Sequence, residues 1–138
     1  MSRYFFVPLL VLPLASCGGP YKVAPVSGRI TLNGDPLDHA SITFQPVAAE
    51  GGADPGPGSG AFTDAEGRFT LLLVGKETKG AVVGKHKVRI YLTPEANVVD
   101  KAKKPIKALP ERYNAKTTLE YDVTTSGTTS ADFHLTVP

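Results

Sequence analysis

The stretch Lys85-His86-Lys87-Val88-Arg89-Ile90-Tyr91-Leu92 decides how the rest of the chain is read. His86, Val88, Ile90 and Leu92 fall on one parity; Lys85, Lys87, Arg89 and Tyr91 fall on the other. Successive side chains of a strand point to opposite faces, so this is a half-buried strand with one core-facing row and one solvent-facing row. Working outward, the same period recurs. Val26, Gly28, Ile30 and Leu32 oppose Ser27, Arg29 and Thr31, and Ala40, Ile42 and Phe44 oppose Ser41, Thr43 and Gln45. Phe69, Leu71 and Leu73 share a face, as do Leu119, Tyr121 and Val123, and finally Ala131, Phe133, Leu135 and Val137.

Turn chemistry separates these rows. Asn33-Gly34-Asp35-Pro36 is a strong turn signal, and Asp64-Ala65-Glu66-Gly67 is a tight connection with a glycine where positive φ is needed. Residues 48–60 are rich in Gly, Pro and Ala and read as a loop. With Ala61-Phe62-Thr63 added, the count is about seven short strands, the pattern of a single antiparallel β-sandwich. No stretch has a convincing helical period. Residues 93–116 are too long for a bare loop, and a helical turn or two is expected between Asn97 and Ala108, before Pro110.

Composition agrees with an all-β domain. The 138 residues include 14 Gly and 12 Pro but no Trp, and they suffice for one domain rather than two. Net charge is +2, and removing Arg3 leaves 14 basic against 13 acidic side chains, which gives no electrostatic case for nucleic acid. The single cysteine, Cys17, excludes a disulfide within the chain.

Met1-Ser2-Arg3 is short and positive, and an apolar run from Tyr4 to Leu14 follows it. Eleven helical residues rise only about 16 Å against a hydrocarbon core of roughly 30 Å, so the run suits a signal peptide better than a membrane span. It closes on Leu14-Ala15-Ser16-Cys17, which resembles the lipobox of bacterial lipoproteins at every position. That resemblance implies cleavage between Ser16 and Cys17 and lipid on the Cys17 thiol. Residues 1–16 would then be the signal peptide, 17–24 the lipidated cysteine and a short tether, and 25–138 the folded domain. The expected location is the cell envelope. Gly18 rather than Asp after the cysteine points to the outer membrane if the cell has two.

The body carries a second resemblance. Val26-Ser27-Gly28-Arg29-Ile30-Thr31-Leu32-Asn33-Gly34, Pro36-Leu37 and Ala40-Ser41-Ile42-Thr43-Phe44 open it. Thr63-Asp64-Ala65-Glu66-Gly67-Arg68-Phe69 and Gly84-Lys85-His86-Lys87-Val88 continue it. Together they resemble carboxypeptidase regulatory-like domains, which share a transthyretin-like (prealbumin-like) β-sandwich. Leu109-Pro110-Glu111-Arg112-Tyr113-Asn114 resembles a subset of small lipoproteins of that type. The resemblance implies a binding, folding or adhesion module; its motifs are structural and speak to fold before function.

The sequence matches no familiar catalytic pattern. Around Ser59 the Gly-x-Ser-x-Gly elbow fails at Pro57 and Ala61. His39, His86 and His134 match no zinc spacing, so no metal or cofactor is expected. Asp64 and Glu66 offer too few oxygens for calcium and read as turn chemistry. The candidate surface contacts are Lys101, Lys103, Lys104 and Lys107, facing anionic lipid or acidic polysaccharide, with Tyr91 and Tyr113 as outward aromatics. The expectation is a non-catalytic, lipid-anchored envelope module that contacts a protein or glycan partner. Two alternatives stay open: an accessory lipoprotein of a transport or secretion complex, and a metal-binding or enzymatic protein with a site around His86.

Overall fold

The structure is a computed structural model that describes residues 21–48, 52 and 54–138. The expected signal peptide and the cleavage and lipidation residues Ser16 and Cys17 lie outside the described residues. The fold is all-β. Thirteen strands are formed among the described residues, in the order β1 (Val23–Ala24), β2 (Ser27–Leu32), β3 (Asp35–Pro36), β4 (Ala40–Pro46), β5 (Ser59–Phe62), β6 (Arg68–Thr70), β7 (Leu72–Leu73), β8 (Ala81–Val82), β9 (Gly84–Leu92), β10 (Val98–Val99), β11 (Pro105–Ile106), β12 (Glu120–Val123) and β13 (Phe133–Leu135). A 3-10 turn, Glu111–Tyr113, precedes β12.

A five-stranded sheet has the order β12-β9-β4-β5-β7, with every pair antiparallel. The second sheet has the order β13-β2-β3, and β6 also pairs with β2. The core-facing rows read from the sequence are buried: Val26, Ile30 and Leu32 on β2 and its approach, Ala40, Ile42 and Phe44 on β4, Val88 and Ile90 on β9, and Phe133 and Leu135 on β13. They meet in one cluster. Phe44 of the larger sheet sets its ring edge-on to Phe133 of the smaller at 6.1 Å between centroids, and Phe69 of β6 lies 6.4 Å beyond Phe133. Tilted and edge-to-face arrangements are favoured by the ring quadrupole.

The sheets are antiparallel as expected with one exception among the named strands, β13, which runs parallel to β2 with Leu135 opposite Leu32. The connection after β12 crosses to the other sheet, reaches it at the Ser27 end of β2, where Ser27 donates to the Thr128 carbonyl, and must then run alongside β2. Gly28 allows this approach, since a Cβ there would run into the Ala131 carbonyl. Two other expectations are corrected. The expected strand of residues 68–74 is two strands. β6 pairs with β2, β7 pairs with β5, and the wholly buried Leu71 sits at the change of sheet. Alternation continues through the bend, so periodicity alone does not reveal it. Finally, residues 97–108 hold no helical turn. They form the β10–β11 hairpin, and the only helical geometry in the segment follows Pro110.

Two margins also move. Ser59 and Gly60, read as loop, open β5. Val23 and Ala24, read as tether, pair with Val82 and Ala81, and Ala24 is buried. The turn at Asn33-Gly34 is as expected: both residues have positive φ, 51° and 88°, and the chain returns at once as β3.

Candidate functional site

The four candidate lysines share one structure. Lys101, Lys103 and Lys104 occupy the loop joining β10 to β11, Lys107 follows β11, and all four are exposed. Asp100 shapes the loop. Its Oδ1 accepts hydrogen bonds from the Ala102 and Lys104 amides at 2.8 and 2.9 Å, and Lys103 takes positive φ at 64°. An aspartate at the head of a turn does this because its short carboxylate reaches amides two and four residues on. Residues 100–107 thus carry four ammonium groups against the one Asp100 carboxylate. The lysine amide of Lys101 also donates to the Pro138 carbonyl at 3.3 Å, which ties the hairpin to the last residues of the chain.

Beneath the hairpin lies a groove of about 440 Å³, lined by Thr93, Asn97, Val98, Pro105, Ile106 and Lys107 among others. Val98 and Ile106 pack partly against the core. Thr93 Oγ1 is buried and makes no hydrogen bond of good geometry, although the hydroxyl is close enough to the Glu95 carboxylate to hold its pKa below the ordinary value. Sequence reasoning missed Thr93 because nothing in its neighbours distinguishes a strand-ending threonine from a groove-lining one. The hairpin itself had a signal, the Asp100 that heads its turn.

The two tyrosines part company. Tyr91 is exposed on the outer face of β9. It lies opposite Ser41, which lies in turn opposite the still more exposed Phe62, so the row Phe62–Ser41–Tyr91 crosses the sheet. Tyr113, expected outside, is buried. Its hydroxyl donates to the Thr136 carbonyl at 3.1 Å and accepts from the Thr136 amide at 2.9 Å, and the Arg112 guanidinium lies 4.7 Å from its ring centroid. A tyrosine can be buried when its one polar atom is satisfied, and here it staples residues 111–114 to the C-terminal strand.

The three histidines are separated by role. His39 is exposed beside Asp38, with Nδ1 3.1 Å from the carboxylate, and His134 is exposed with Nδ1 2.9 Å from Thr31 Oγ1. His86 is wholly buried, 5.5 Å from the Phe44 ring. Its Nε2 lies 2.6 Å from the Val82 carbonyl, which can only accept, so Nε2 carries the proton. Nδ1 is then an acceptor in the neutral ring, and it has no partner. Burial lowers the His86 pKa, against opposing pulls from the Val82 and Phe44 backbone and the Asp122 charge. Among the described residues no group of three or more His, Cys, Asp and Glu side chains converges as a metal site would. Ser59 is buried and donates to the Gly80 carbonyl, and Asp64 Oδ1 accepts from the Glu66 and Arg68 amides as a turn former.

No helix among the described residues is long and apolar enough to cross a membrane. No family model, no curated protein and no solved structure matches the chain significantly.

Proposed function

We propose that the chain is an exported lipoprotein, anchored in the cell envelope through lipid on Cys17, whose folded part is a non-catalytic binding or structural module for a protein or glycan partner. The observation that carries the reading is the motif Leu14-Ala15-Ser16-Cys17 at the end of a short apolar run that a positive segment precedes. Several acyl chains on one residue, each buried CH₂ contributing about 0.8 kcal/mol, hold a protein far more firmly than a single chain would. The folded part would be a transthyretin-like sandwich of the carboxypeptidase regulatory-like kind. In support, two sheets share one core, and the residues quoted for that resemblance fall on β2, β4, the Asp64–Gly67 turn and β9. The non-catalytic part of the reading draws on how the reactive side chains are used: Ser59 and His86 are both committed to backbone carbonyls inside the fold.

The test is the intact mass of the native protein extracted from membranes with detergent, with metal analysis of the same sample. Residues 17–138 plus acyl chains, without metal, is the expected result. A mass without lipid sinks the anchor, and stoichiometric metal revives the alternative centred on His86.

A further inference from the structure

The two ends of β9 have different neighbours. At the Gly84 end, the Val83 amide donates to the Lys22 carbonyl and β1 pairs with β8, so the N-terminal side of the chain joins the fold there. At the Leu92 end, the Thr93 amide donates to the His39 carbonyl and the chain passes directly into the groove and the lysine hairpin. The smaller sheet repeats this polarity. The Ser27 end of β2 is bonded to Thr128, while its Leu32 end leads to Asn33, whose side chain accepts from the Val137 amide, and to Pro138 beneath Lys101. Nine strand residues span about 26 Å. That is roughly three screening lengths at physiological salt.

The hairpin is therefore set at the far pole from the tether, and its lysines are badly placed to hold the membrane in which Cys17 would be anchored. What the pole does offer is a mixture. Lys101, Lys103, Lys104 and Lys107 are cations for carboxylates. Asn97, exposed at the groove, brings a side-chain amide that can both donate to and accept from hydroxyls. Val98 and Ile106 give the groove an apolar wall, and its volume lies within the range of small-ligand pockets, roughly 300–1,000 Å³. A polymer that carries carboxylates, hydroxyls and apolar ring faces on each unit satisfies all three. Anionic lipid headgroups would use only the cations.

We propose that the Lys101–Lys107 pole, with the groove beneath it, is the ligand-binding end of the molecule and that its ligand is an acidic polysaccharide. The proposal rests on the anchored-module reading and names the partner class within it.

The experiment holds the full chain in phosphatidylcholine nanodiscs and measures binding of polygalacturonate oligomers, with dextran and phosphatidylserine vesicles as comparison probes. Polygalacturonate should bind, dextran should not, and the affinity should fall as salt is raised. The combined variant Lys101→Gln, Lys103→Asn, Lys104→Gln and Lys107→Gln should bind about tenfold more weakly, as four exposed ionic contacts predict, with its melting temperature kept. Asparagine is chosen at position 103 because it tolerates positive φ. Asn97→Ala should weaken binding severalfold with the lysines intact. Equal binding of dextran, a preference for phosphatidylserine vesicles, absence of polygalacturonate binding, or unchanged affinity in the lysine variant each overturns the proposal. Failure of the anchor is read separately, from the mass of the membrane-extracted protein, and the glycan measurement is then made with the same chain in solution.

Discussion

Strand β9 and the segment that follows it meet at Thr93, and they are held in opposite ways. β9 is paired on both edges, with β4 on one side and β12 on the other, and its inward row reaches the centre of the core. Residues 93–116 make few regular ladders. They are held by single side chains that substitute for strand partners: Asn114 Nδ2 donates to the Ile90 carbonyl at 3.1 Å, the Tyr113 hydroxyl closes onto Thr136, and just past the segment Thr117 Oγ1 donates to the Val88 carbonyl at 2.6 Å. A ladder spreads its stabilisation over many weak, interchangeable bonds. A segment held by three or four specific side chains depends on each of them.

The contrast breaks first in the core if it breaks at all. Phe44→Ala should cost about 3–5 kcal/mol in denaturant unfolding, because Phe44 touches His86, Tyr121 and Phe133 and links the two sheets. A loss under 1 kcal/mol would mean that the layers do not share that contact. His86 sharpens the comparison, being the one polar member of the β9 core row. Its pKa is lowered below the ordinary 6.5 by burial, so the unfolded chain takes up a proton that the folded chain resists. This share of stability is whole above about pH 6.5 and is lost as pH falls from there through the lower folded value, at no more than ~1.4 kcal/mol per pH unit for one proton. His86→Gln keeps a donor for the Val82 carbonyl but does not titrate. Its unfolding free energy should fall less than that of the parent between pH 7.5 and 5, and parallel curves would contradict the assignment.

The smallest effect lies in the segment. Tyr113→Phe removes the hydroxyl that serves both backbone groups of Thr136 and should cost about 1 kcal/mol, with hydrogen exchange rising at Thr136 and residues 111–114 while β9 is unaffected. Equal changes in both regions would show that they unfold as one unit.

The same contrast explains what was legible. The core rows of β2, β4, β9 and β13 could be read because alternation reports the two faces of a strand directly. The Asn33-Gly34 turn and the Asp64 turn could be read because each needs particular backbone chemistry. Tyr113 could not be placed, since an amphipathic ring suits either side until a partner such as Thr136 is known. The strands of the 98–106 hairpin showed no period, being two residues long, and only the Asp100 turn marked it.

By itself, the sequence determined an all-β chain, the inward rows and the turn positions, together with the N-terminal motif that motivates the anchor. These are local properties, fixed by the two-residue period, the φ demands of Gly and Asn, and the order of residues along the chain. The parallel pairing of β13, the change of sheet at Leu71, the burial of Tyr113 and the separation of the lysine hairpin from the β1–β8 end of the fold came only from the tertiary structure. Each of these depends on which distant segment supplies the other half of a contact, and no stretch of sequence carries that information alone.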